Sequence, residues 1–224
     1  MSLARDQILG GIRARLSRGK LGAAQEQALQ DRLDTHRRNL IPARAASLDH
    51  AGQVDLFQSM AEEVDATVVR VAGAADVPGA VADYLSRLNL PARLVMTPDP
   101  KLDGIPWETR PLLEIRKGRA EDGDAAGITG SFVAIAETGT LMLVSGPDTP
   151  TRNNFLPDTH VVVLRASDVV ASYEDGWDRL RAAGAMPRTV NFITGPSRTG
   201  DIEQRLVLGA HGPRRLHIVL VEDA

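Results

Sequence analysis

The chain has 224 residues, 43% of them apolar and 25% charged, with a formal net charge of −3; this is the balance of one globular domain with at most an appendage, and it excludes a disordered or fibrous chain. With 26 Lys and Arg against 29 Asp and Glu, and only 4% aromatic residues, the molecule lacks both an overall pull on phosphates and base-stacking platforms, so no nucleic-acid partner is expected. Cysteine is absent, which removes disulfides, thiolate nucleophiles and cysteine-held zinc or iron–sulfur clusters from this chain. No run approaches the ~18 to 20 apolar residues of a membrane-spanning helix, and Arg5, Asp6, Arg13, Arg15 and Arg18 break up the start of the chain. A cytoplasmic location with no membrane span and no secretory signal is therefore expected.

Residues 1–44 hold nine basic and four acidic side chains, a local balance of +5 that leaves −8 on the other 180 residues. Ile8, Leu9, Ile12 and Leu16 recur at helical spacing, and Leu29 and Leu33 continue the stripe, so this basic arm is predicted to form one or two amphipathic helices closed by Pro42. Such an arm either packs on its own domain or a neighbouring subunit, or docks a partner. The boundary is placed after residue 48, with an α/β domain over residues 49–224. From Asp55 onward the pattern alternates: a helix near 56–64, a strand at 67–71, a helix at 77–88 and a strand at 92–96, which is an α/β signature. Residues 98–127, rich in Pro, Gly and charge, read as mostly connection, with a strand only at 112–115. Further strands are predicted at 132–136, 140–144, 161–164, 190–194 and 216–221, and helices at 173–183 and 201–208. The strands are short and rich in Val and Ile, as strands covered on both faces should be.

Polar residues interrupt apolar strands at two places. In the first, the stretch Gly127-Ile-Thr-Gly-Ser131 is followed by a strand, by Ala136-Glu-Thr-Gly-Thr140 and by a second strand. If the strands pair, Glu137, Thr138 and Gly139 form a hairpin loop in which Gly139 supplies a positive φ. Glu137 is then either a turn residue bonding nearby amides, or a strand-end carboxylate acting as base, nucleophile or ligand anchor, with Ser131, Thr138 and Thr140 as hydroxyl donors. In the second, Thr194-Gly-Pro-Ser-Arg-Thr-Gly-Asp-Ile-Glu203 follows a strand and precedes a helix-like segment. There the backbone around Thr194, Gly195, Ser197 and Thr199 can hold an anion, with Arg198 as a bidentate clamp; alternatively these residues cap the helix and Arg198 pairs with Asp201 or Glu203. Neither a nucleotide P-loop nor a G-x-G-x-x-G fingerprint is present. The five histidines, His36, His50, His160, His211 and His217, lack zinc-protease spacing, and no metal site is expected. His211, flanked by glycines in Gly209-Ala-His-Gly-Pro213, is the histidine with the better claim to a binding role.

The order AETGT, then SG, then LP and His160, then ITGPSRTGDIE and GAHGP before a terminal strand resembles the LUD-domain family over residues 125–224. The resemblance implies a fold similar to the superfamily of sugar-phosphate isomerases, glucosamine-phosphate deaminases and coenzyme A transferases. It also implies a part in the oxidation of L-lactate to pyruvate beside two iron–sulfur proteins. Larger relatives carry cysteine-rich segments, so this chain looks like a short, cluster-free member, with any iron–sulfur cluster on its partners and no cofactor of its own. On that basis the expected role is an accessory or substrate-handling subunit whose cleft, between Glu137 and Arg198, takes a small carboxylate or other anion. Two other roles remain open: a stand-alone enzyme acting on a phosphorylated or coenzyme A-linked small molecule, and a metabolite-sensing scaffold docked through the arm.

Overall fold

The structure is a computed structural model that describes residues 3–17, 19–200 and 206–222. Contacts divide the chain into two compact units, Met1–Leu40 and Ile41–Ala224. The first contains α1 (Leu3–Arg15) and α2 (Ala23–Thr35). Side-chain amides of Gln27 and Gln30 donate one turn ahead to Asp31 and Asp34, supporting α2. No residue of either helix is buried, and Ile8, Ile12, Leu29 and Leu33 all stand exposed.

The second unit runs α3 (Ala43–Ala46), α4 (His50–Glu63), β1 (Thr67–Val71), α5 (Val77–Arg87), β2 (Arg93–Met96), β3 (Glu114–Lys117), β4 (Ala126–Gly130), β5 (Val133–Ile135) and β6 (Thr140–Val144). It continues with α6 (Arg152–Phe155), β7 (Thr159–Arg165), β8 (Val169–Val170), α7 (Tyr173–Ala182), β9 (Val190–Ile193), β10 (Arg198–Gly200), β11 (Leu206–Leu208) and β12 (Arg215–Val221). Local chemistry sets the helix starts: Asp49 caps α4 by accepting from the Gly52 amide at 2.8 Å, and Ser172 and Asp175 form a capping box on α7.

A six-stranded sheet in the order β1-β12-β7-β4-β2-β3 is parallel throughout. A second, four-stranded sheet has the order β8-β5-β6-β9, and β10 pairs antiparallel with β11. Alternation along β12 explains the layering. Leu216, Ile218 and Leu220 pack with Phe57 and Ala61 of α4 and with Leu141 and Leu143 of the second sheet, while Val219 and Val221 pack with Val77, Val81 and Leu85 of α5. On its other face the second sheet packs Val133, Ile135 and Met142 against Leu180 of α7. The order of layers is α5, large sheet, α4 with the small sheet, and α7. Among the described residues, no helix is long and apolar enough to cross a membrane.

Two local expectations are corrected. β4 runs through the middle of the large sheet, where connection and a polar stretch were expected, because its glycines hid it. A Cβ on Gly127 would stand 2.9 Å from Pro157 Cγ, so close packing requires the residue type that otherwise suggests a loop. Within the helix expected over residues 201–208, Leu206–Leu208 is instead the strand β11, and residues 201–205 lie outside the described residues. A short apolar run does not distinguish the two periods.

Candidate functional site

The hairpin between β5 and β6 places Ile135 opposite Thr140 and turns through a 3-10 segment, Ala136–Thr138, to Gly139 at φ 62°. This corner is pressed against α4: a Cβ on Gly139 would stand 2.3 Å from the Ala61 nitrogen. Glu137 is 5% exposed. Its Oε1 accepts from the Tyr173 amide at 3.0 Å, at the positive end of α7, whereas Oε2 has no partner. Its carbonyl accepts from Arg44. Thr138 and Thr140 bring their hydroxyls to 2.7 Å from each other, and the Tyr173 hydroxyl lies 3.2 and 3.1 Å from them. Ser131 is elsewhere, donating to the Val133 carbonyl at 2.7 Å.

The second polar stretch borders a cavity of about 410 Å³. Residues 194–198 form one wall and residues 211–213 another, and Asn154, Phe155, His160 and Leu216 contribute to the rest of the lining. Main-chain bonds join the two walls: the Ser197 amide donates to the Pro213 carbonyl at 2.8 Å, and the Gly209 amide to the Ser197 carbonyl at 3.0 Å. Gly195, at φ 73°, lies so close to the end of α4 that a Cβ would come within 2.4 Å of the Val64 carbonyl oxygen. Arg198 donates to that same oxygen at 2.7 Å and pairs with Asp65 at the surface.

His160, on β7, is fully buried, with Nε2 2.8 Å from the Thr129 hydroxyl and Nδ1 without a partner. Burial holds its pKa down to about 4, so the imidazole is neutral at physiological pH. The cavity is therefore lined by a neutral ring, a carboxamide, hydroxyls and a guanidinium.

Thr194, Gly195, Ser197, Arg198 and His211 are thus brought together around one cavity. Thr199 follows in β10. Glu137, Thr138, Gly139, Thr140 and Ser131 do not line it. One hydrogen-bond link joins the two regions, since Thr140 and Thr194 hold their hydroxyls 2.7 Å apart. A second, smaller cavity of about 150 Å³, lined by Thr97, Asp99, Thr129, Ser131 and Asn154 among others, opens at the carboxyl ends of β2 and β4. The strand order reverses there, since β3 lies on one side of β2 and β4 on the other; in open α/β sheets such a point is where ligands enter. Asn154 lines both cavities, and its side chain has no hydrogen-bond partner among the described residues. Sequence reasoning missed it. The signal was a pair of asparagines beside an apolar Phe-Leu-Pro run. The first, Asn153, is spent on the Ala120 amide and the Gly118 carbonyl. Among the described residues no three His, Asp or Glu side chains gather as a metal site.

The sequence pattern of the LUD domain matches residues 54–221. The chain belongs to the LUD domain family. This LUD domain contains every residue lining the larger cavity, while α1 and α2 lie outside it. The chain is similar to lactate utilization protein C of Deinococcus radiodurans, 34% identical over 188 residues that make up 79% of this chain and 82% of that protein. It is also similar to lactate utilization protein C of Bacillus subtilis, 39% identical over 101 residues, 43% of this chain and 42% of that protein. Among solved structures it resembles the crystal structure of a DUF162 family protein from Deinococcus radiodurans, with a TM-score of 0.57 and 28% identity over 78% of this chain and 99% of that one.

Proposed function

We propose that this LUD-domain protein serves lactate utilization as a substrate-handling subunit, holding a small 2-hydroxy or 2-oxo carboxylate in the 410 Å³ cavity. Converting L-lactate to pyruvate releases two electrons and two protons. This chain has no cysteine-held redox centre, so in this reading the two electrons pass from the bound substrate to iron–sulfur partner proteins and the two protons to solvent. The observation that carries it is the convergence of Thr194, Ser197, Arg198, His211, Asn154 and neutral His160 on one small cavity, in a chain related to lactate utilization protein C. Arg198 exchanges Asp65 for the ligand carboxylate at little cost, because an exposed ion pair contributes only about 0–1 kcal/mol. His160 and Asn154 supply uncharged hydrogen bonds to the hydroxyl or keto oxygen. Glu137 has no part in contacting the ligand in this arrangement.

The test is lactate-dependent dye reduction by the two iron–sulfur partners, reconstituted with and without this chain and with its Arg198→Ala variant. Activity that requires the wild-type chain and falls at least about tenfold with the variant, the loss of one charge-assisted contact, is the expected result. Equal activity without the chain overturns the reading. The exposed apolar residues of α1 and α2 favour a docking role for the arm beside this one. Removing residues 1–40, which spares the Arg44 contact to Glu137, is then expected to abolish partner association while the remaining domain stays folded.

A further inference from the structure

β1 is an edge strand of the large sheet, and a cavity of about 540 Å³ opens along it. Residues 66–69, Glu62 of α4, Tyr84, Arg87 and Leu88 at the end of α5, and His217 of β12 line this space. None of them lines the 410 Å³ cavity. Because the Val71 carbonyl accepts from the Glu222 amide beyond β12, strand alternation turns the peptide groups of Val68 the other way, towards the free edge.

His217 is the unusual group here. It is 1% exposed and stacks on Tyr84 with centroids 3.8 Å apart and planes 6° from parallel. Its Nδ1 lies 2.8 Å from the Thr67 hydroxyl, which also reaches the Leu216 carbonyl at 3.4 Å and Tyr84. Nε2 is buried and has no hydrogen-bond partner, and an acceptor placed beside it selects the tautomer that carries the ring proton there. Burial, and then the positive charge of Arg87, keep this ring uncharged, with a pKa of about 4. Arg87 is exposed and has no hydrogen-bond or ion-pair partner among the described residues. An unpartnered buried ring nitrogen and an unpaired guanidinium therefore border a space whose other walls include Ala66, Val69, Leu88 and the Tyr84 ring. An anion with an apolar body answers both. Glu62, which accepts from Gln58 at 2.8 Å, lines the same space and opposes a second negative charge.

We propose that this cavity is a binding site, separate from the one above, for a short aliphatic monocarboxylate. The carboxylate pairs with Arg87 and accepts from His217 Nε2, and the alkyl tail lies against Ala66, Val69 and Leu88. The site is independent of the lactate reading, since it shares no residue with that cavity.

The full chain is titrated with butyrate while the ring resonances of His217 are followed by nitrogen–proton correlation. Butyramide and inorganic phosphate serve as the arms that keep only the tail or only the charge. The expected result is a saturable shift of the His217 signals with butyrate at concentrations up to about 100 mM, the range of a weak single-ion-pair ligand. Butyramide and phosphate give little response, binding is lost by about tenfold in Arg87→Gln, and Arg87→Lys retains part of it. Arg198→Ala leaves the titration unchanged, which separates this site from the 410 Å³ cavity. The proposal is overturned by the absence of a saturable shift, by equal binding of butyramide or phosphate, or by wild-type affinity in Arg87→Gln.

Discussion

The corner at residues 136–140 and the cavity wall at residues 194–198 begin from the same ingredients: a β-strand end, a glycine at positive φ, hydroxyls and one charged side chain. Both are pressed onto α4, Gly139 against Ala61 and Gly195 against the Val64 carbonyl. They differ in what lies on their other side. The start of α7 covers the corner, so Glu137 is used on the Tyr173 amide and Thr138 and Thr140 on each other and on the Tyr173 hydroxyl. The wall at 194–198 is joined to residues 211–213 by the main-chain bond from Ser197 to Pro213, and it lines the cavity, with Thr194 bonded to Thr140 and Arg198 to Val64 and Asp65. In this chain the polar residues at a strand end line a cavity only where no helix closes over them.

The sharpest way to break this comparison is to add a methyl group to each region. Gly139→Ala forces an L side chain into the left-handed region with its Cβ against the main chain of α4 at 2.3 Å, and a loss of about 3–5 kcal/mol in urea unfolding is expected. Gly212→Ala, whose Cβ would meet the Ser197 side chain at 3.4 Å and Phe155 Cδ1 at 3.7 Å, ordinary contact distances, is expected to change stability by no more than about 0.5 kcal/mol. Similar losses at both positions would mean that the cavity is as closed as the corner.

Each buried histidine comes next in size. His160 titrates near pH 4 in the folded chain against 6.5 when unfolded, so between these values the unfolded chain binds more protons and stability rises with pH. The contribution is complete above pH 6.5 and falls by about 3 kcal/mol as pH drops to 4. His217, also at about 4, adds a comparable share. Unfolding free energies measured from pH 7 to 4 are expected to show this slope, and His160→Gln is expected to remove the share that belongs to the cavity wall.

The sequence made most of the framework legible because the core strands other than β4 are short runs rich in Val, Leu and Ile. The strand at 140–144 and the helix beginning at Tyr173 needed no long-range information. β4 was not legible, since its glycines answer to Pro157, a neighbour distant in sequence. The loop around Arg198 was visible as a glycine-bearing break after a strand. Its partners, Asn154 and His160, come from α6 and β7, and nothing local to either residue records that the fold brings them to the same cavity. For Glu137, the flanking strands revealed the turn, but not that its carboxylate would meet the start of α7.

The smallest effects separate the two charged residues most cleanly. Glu137→Ala leaves the part-buried Tyr173 amide without its acceptor, and a loss of about 1–3 kcal/mol is expected. Affinity for L-lactate or pyruvate, read by calorimetry, should be unchanged because the side chain does not border the cavity. Arg198→Ala should reverse the pattern. Its ion pair with Asp65 is exposed, so stability moves by less than about 1 kcal/mol, while the ligand loses its only cationic partner among the cavity-lining residues and affinity falls about tenfold. If Glu137→Ala weakens the ligand as much as Arg198→Ala does, the Thr140–Thr194 hydroxyl contact transmits the corner's state to the cavity, and the two regions act as one site.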